Sequence, residues 1–95
     1  MTVRVRQFVT HPGEQLREDV IEANKLSVSD AAKLLGVTRT TLSKIVNKKS
    51  SITANMALRI SKVFGGTPHF WLRLQMEHDL NKAEKEWSKK SSHNN

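Results

Sequence analysis

The chain of 95 residues contains no cysteine, which excludes disulfide scaffolds, thiolate zinc sites and cysteine nucleophiles. No apolar run is longer than four residues, far short of the roughly 20 that a bilayer-spanning helix needs, so no membrane partner is expected. Arg4 and Arg6 have no apolar stretch behind them, which argues against a secretory signal and for the cytoplasm. Acids are few: nine Asp and Glu stand against 16 Lys and Arg, a net charge of +7. The length allows one domain. With 37% hydrophobic and 26% charged residues, the composition is that of a globular domain rather than a disordered chain.

The shortage of acid is local. Between Asp30 and Glu77 there is none, while the window holds Lys33, Arg39, Lys44, Lys48, Lys49, Arg59, Lys62 and Arg73, a local charge of +8. So one-sided a block repels itself within a folded domain and suits a surface facing a polyanion. A generic basic protein with solvated lysines is the alternative.

Helix punctuation divides the chain. His11-Pro12-Gly13 marks a boundary, with Pro12 suited to a first turn and Glu14 complementing the positive end of the dipole. The first helix then runs to about Ala23, with Leu16, Val20 and Ile21 on one side. Ser27 is an N-cap, Asp30 its short capping-box partner, and Gly36 a left-handed stop, so the second helix spans about 28–35. Thr38 caps a third over about 39–46, with Leu42, Ile45 and Val46 inward. Two short helices joined by Gly36, Val37 and Thr38 have helix-turn-helix spacing. Thr53 caps a fourth, about 54–64, with Ala57, Leu58, Ile60, Ser61 and Phe64 on or near its inner side, ended by Gly65 and Gly66. Thr67 and Pro68 open a fifth that reaches about residue 84. The expected fold is all-α, with five helices. Residues 1–10 form an arm or a short strand, 11–84 the domain, and 85–95 a polar tail, disordered from Ser88 on.

The third helix carries the chemistry. Its outer positions are Arg39, Thr40, Ser43, Lys44 and Asn47. A helix that only supported a core would usually mix Glu with Lys outside as i,i+4 pairs; here there is no acid. Arg39 and Lys44 match the O6 and N7 acceptors of guanine, and Thr40 and Ser43 support base reading. Thr38, Asn47, Lys48 and Lys49, with Lys33 on the second helix, are expected at the phosphate backbone. The expected partner is double-stranded DNA, with the helix in the major groove.

No enzymatic or cofactor site competes. His11, His69, His78 and His93 have no partners at ligand spacing, so no metal is expected. Gly65-Gly66-Thr67 lacks the phosphate-loop spacing. Ser27, Ser29 and Ser43 have no His–Asp company, so catalytic residues are not expected.

The segment Leu26 to Ile45, LSVSDAAKLLGVTRTTLSKI, resembles the phage-repressor or Xre-type helix-turn-helix family. The wider chain is more similar still to HigA-type (VapI-like) antitoxins, through His11-Pro12-Gly13-Glu14 with Leu16 and Arg17, Ala57-Leu58-Arg59-Ile60, Phe70-Trp71-Leu72-Arg73-Leu74-Gln75 and His78-Asp79-Leu80. The likeness covers roughly residues 9–83. It implies a five-helix phage-repressor-like domain, a homodimer on a palindromic operator, repression of its own operon, and neutralisation of a HigB-type RNA-cleaving toxin. The DNA-contacting positions it implies are Thr38, Arg39, Thr40, Ser43 and Lys44. Two positions depart from the pattern. Val28 stands where relatives often carry a phosphate-bonding Gln, and Lys48 where they often carry Gly, at the cost of strain if φ is positive.

On the fifth helix, Phe70, Trp71 and Leu74 share one arc, and Leu72, Met76, Leu80 and Ala83 a second on nearly the opposite side. Two apolar arcs exceed what one small domain needs to bury. The second is the expected dimer interface, which would set two recognition helices about 34 Å apart; burial of both arcs within one chain is the alternative. The acidic face of the first helix, Glu14, Glu18, Asp19 and Glu22, is either solvated or a surface for a basic toxin. Two other readings remain: an orphan regulator without a toxin, and a protein-interaction module on the same scaffold.

Overall fold

The structure, a computed structural model, describes residues 11–93, with side chains through Lys89. The arm expected over residues 1–10 lies outside the described residues. Five helices follow one another: α1 over Pro12–Leu16, continuing into a wider π-type turn over Arg17–Glu22, then α2 Val28–Leu35, α3 Arg39–Val46, α4 Ala54–Phe64 and α5 Pro68–His93. There is no strand among the described residues. The all-α expectation holds, and the predicted limits of α2, α3 and α4 match the structure.

Caps account for those limits. The Ser27, Thr38, Thr53 and Thr67 hydroxyls accept from the backbone N–H of Asp30, Thr41, Met56 and Phe70, at 3.0, 3.1, 3.2 and 3.3 Å. Each bond satisfies a helix-start donor that has no partner within its own helix.

Three helices stop in the same way, with the chain turning left-handed and two N–H groups folding back onto the last turn. After α1 the turning residue is Lys25 (φ 58°), after α2 Gly36 (φ 74°) and after α3 Lys48 (φ 66°). Only Gly36 adopts that conformation without a Cβ penalty. Lys48→Gly should therefore raise stability by about 1 kcal/mol, read as a higher urea midpoint at constant m-value. A lower midpoint would mean that the charge of Lys48 outweighs its strain.

The core is built from Leu16 and Ile21 of α1, Ala31, Ala32 and Leu35 of α2, Leu42, Ile45 and Val46 of α3, Met56, Ala57 and Ile60 of α4, and Trp71 and Leu74 of α5, with Ile52 from the loop before α4. Helix α1 packs on α3 and α5, α2 on α3 and α4, and α4 on α5. Two residues expected inside are outside. Leu58 is 46% exposed and Phe70 42%. On α4 the buried stripe is Met56, Ala57 and Ile60, and Leu58, two residues past Met56, turns away from it. Phe70 instead rests edge-on against Trp71, with ring centroids 5.1 Å apart.

Helix α5 also continues past residue 84, where the sequence placed its end, to His93. Residues 88–93, expected to be disordered, are thus helical. The extension sets Trp87, 71% exposed, in line with Leu72, Met76, Leu80 and Ala83 at 100° per residue.

Candidate nucleic-acid interface

Helix α3 divides cleanly. Leu42, Ile45 and Val46 are buried; Arg39, Thr40, Thr41, Lys44 and Asn47 are exposed, and Ser43 is half-buried. The Thr38 hydroxyl, besides capping, donates to Thr41 Oγ1 at 2.9 Å. The Asn47 side-chain amide donates to the Ser43 carbonyl (2.9 Å) and hydroxyl (3.2 Å). Asn47 thus closes the end of the helix with a donor the sequence reading assigned to a phosphate, while Arg39 and Lys44 project from it.

The loop that follows is fixed from two directions. Lys48, Lys49 and Ser50 donate their backbone N–H groups to Ile45, Lys44 and Lys44 carbonyls at 3.1, 2.8 and 3.2 Å. From the other side, Gln75 of α5, only 7% exposed, accepts the Ile52 N–H at 2.8 Å and donates to Asp79 Oδ1 at 3.0 Å. Lys48 and Lys49 are both exposed, and Lys48 Nζ lies 3.6 Å from Glu14 Oε1. Ser50 and Ser51 separate two hollows, one reached by Lys44, the other by Lys48 and Lys49.

Not every base of the acid-free window belongs to this surface. Arg59 reaches across to the end of α2, donating from Nη1 to the Leu35 carbonyl (2.9 Å) and from Nε to Asn55 (2.7 Å), where the helix dipole favours a cation. Lys33 is exposed in the last turn of α2. Val28 is half-buried and packs against the core, so its side chain serves packing. On α1, Arg17 pairs with Glu18 (3.7 Å) and Glu22 (3.4 Å), and Gln15 bonds Asp19, so this acidic face is partly neutralised within the chain.

His11 is a cap that the sequence reading missed: its Nδ1 accepts the Gly13 N–H at 2.9 Å, and its ring meets that of His78 edge-on at 4.6 Å. Burial, then the neighbouring His78 and Lys48, hold the His11 imidazole below its usual 6.5, against the opposite pull of Asp79 and Glu14. The unfolded chain therefore binds this proton more readily than the folded one. The His11 contribution is intact above pH 6.5 and is lost as pH falls below that value toward the lower folded midpoint. His11→Ser keeps a capping oxygen and removes the titration. Its melting temperature should drop less than that of the wild type between about pH 7.5 and 5.5; equal drops would contradict this role.

A helix-turn-helix family model matches residues 16–72. An uncharacterised helix-turn-helix-type transcriptional regulator of Haemophilus influenzae is 49% identical over 75% of this chain and 66% of its own length. Virulence-associated protein I of Dichelobacter nodosus is 41% identical over 80% of this chain and 70% of its own. The solved structure of Pseudomonas aeruginosa antitoxin HigA with the higBA promoter superposes with a TM-score of 0.83 at 32% identity, over 90% of this chain and 94% of that one.

The chain belongs to the Xre-type helix-turn-helix family, alongside HigA antitoxins and VapI-like proteins. This is a family of DNA-binding regulators, not of enzymes. Among the described residues no helix is long and apolar enough to cross a membrane, and no group of three or more His, Cys, Asp or Glu residues is placed to hold a metal ion. The chain spans about two thirds of the length of the curated relatives.

Proposed function

We propose that this protein is a cytoplasmic, dimeric, sequence-specific repressor of its own toxin–antitoxin operon, and that it neutralises a HigB-type RNA-cleaving toxin. The observation that carries the DNA half is the exposed face of α3, where Arg39, Thr40 and Lys44 stand free of any acidic residue of their own helix. Arg39 and Lys44 read base edges with Thr40 and Ser43 beside them, while Thr38, Lys48, Lys49 and Lys33 hold the backbone and Asn47, its amide bonded to Ser43, fixes the end of α3 beside them. The toxin half rests on the likeness to HigA.

The dimer forms through the outer arc of α5. Met76, Leu80 and Ala83 are exposed and Leu72 half-buried, and Trp87 lengthens the apolar line. A second copy would cover it and present two recognition helices to one face of the duplex. Sedimentation as a monomer of 10.8 kDa at micromolar concentration would remove the dimer.

The test is binding to the DNA just upstream of the operon against scrambled DNA, between about 50 and 200 mM salt. Preference for the native site with a steep salt dependence is the expected result; equal weak binding to both would favour an interaction module. Within that assay, Arg39→Ala should lose about 1–3 kcal/mol and relax discrimination at one base pair. Lys49→Ala should weaken every sequence alike and lower the salt slope by about one. Equal losses on all DNAs from both variants would undo the division into readers and positioners. An orphan regulator remains a second reading, favoured by the 49%-identical relative described as a transcriptional regulator. A toxin reading frame beside the gene decides between them.

A further inference from the structure

Between the loop after α3 and the flank of α5 lies an open pocket of about 210 Å³ that base reading leaves unused. Its walls carry Lys48, Lys49, Lys82, His11, His78 and Asp79. Ser50 and Ser51 add hydroxyls, and Gln75 closes the inner side. Three lysines thus line the pocket against one carboxylate, that of Asp79, which accepts from the Gln75 amide at 3.0 Å. The neighbouring Glu14 lies 3.6 Å from the Lys48 ammonium. The balance repels a metal cation. The volume is below the roughly 300 Å³ at which pockets take drug-sized organic ligands, but leaves ample room for a tetrahedral oxyanion, since a water molecule occupies about 30 Å³.

We propose that this pocket seats a phosphoryl group, held by Lys82 of α5 together with Lys48 and Lys49, with His11 and His78 beside it. The phosphoryl group comes from the DNA backbone or from a free phosphorylated molecule. In the first case the seat extends the proposed interface to α5, and to that extent rests on the DNA-binding reading. The His11 imidazole gives the seat a pH dependence. Protonation of His11 is opposed by burial, by its Nδ1 acting as acceptor for Gly13, and by the charges of His78 and Lys48; Asp79 and Glu14 favour it. Lys49 and Lys82 also line the pocket. A bound dianion offsets the like charges, so binding tightens as His11 protonates.

Sulfate is a suitable probe because its charge does not change over the range in which histidine titrates. The His11 ring-proton resonance, assigned with His11→Ser, is followed by NMR against pH in sulfate and in chloride at equal ionic strength. Sulfate should raise the His11 midpoint by about half a unit, and Lys82→Ala, at an exposed helical site, should abolish that rise. Identical midpoints in the two salts overturn the proposal. The same variant then distinguishes the sources. A uniform loss on all DNA, with the salt slope lowered by about one, identifies a backbone phosphate. Unchanged DNA binding with a lost sulfate response identifies a free phosphorylated ligand. A Lys82→Ala protein altered in neither respect overturns the site. Absence of any operator binding by the wild type would sink the repressor reading but leave the sulfate result to decide the pocket.

Discussion

Gly13→Ala should destabilise the protein by about 3 kcal/mol and weaken DNA binding with it. By helix propensity alone the change should help, since Ala is favoured over Gly inside a helix by about 1 kcal/mol. The packing reverses the sign. A Cβ at this position would overlap the Ile45 carbonyl oxygen and lie 2.8 Å from its carbonyl carbon. The obstacle is backbone, so no side-chain rotation relieves it; α1 must move away from the end of α3. That end is held by Asn47 and Lys48, whose N–H groups both bond the Ile45 carbonyl. Urea denaturation gives the sign directly, and a midpoint at or above that of the wild type would show that the two helices separate freely.

Removal of the Gln75 side chain is the second large effect. Gln75→Ala leaves the Ile52 N–H without its acceptor beside a buried side chain and opens a void, at a combined cost of about 3 kcal/mol. Because this bond ties the loop after α3 to α5, amide exchange at Ile52 should accelerate well beyond the global change in stability. Gln75→Glu keeps an acceptor for Ile52 but sets a carboxylate against Asp79. It should retain slow exchange at Ile52 while losing part of the stability. Equal exchange rates in the two variants would mean that the loop is held by its own turn alone.

The local features of this fold were legible in the sequence because their causes are local. Each of the four hydroxyl caps acts on an N–H three residues away, and Gly36 turns the chain where a glycine was read as a stop. The features that were not legible depend on partners far along the chain or on residue types without a strong local signature. Nothing near Gly13 signals that Ile45 will pack on it. Arg59 and Gln75 look like surface residues until α2 and the loop before α4 arrive beside them. Lys25 and Lys48 occupy turns that usually announce themselves with glycine, although the departure at Lys48 did raise the question of strain. Leu58, expected on or near the inner side of α4, turns away from its buried stripe, and Phe70, at the margin of the arc it shares with Trp71 and Leu74, rests outside against the Trp71 ring. Of the proposed DNA-facing residues, Arg39, Thr40 and Lys44 stood out because acid is missing around them; the pocket beside Lys82 needed the approach of α5 to the loop.

The distribution of caps and stops also bears on how quickly the chain finds this arrangement. Each helix start bonded by a hydroxyl, and each left-handed stop, is completed within six residues of itself. The Ile52–Gln75 and Arg59–Leu35 bonds, by contrast, join residues 23 and 24 positions apart. Such a chain forms its turns before it has to close large loops, the regime in which small helical domains fold within microseconds to milliseconds. A newly made copy would then be ready to act almost as soon as it leaves the ribosome.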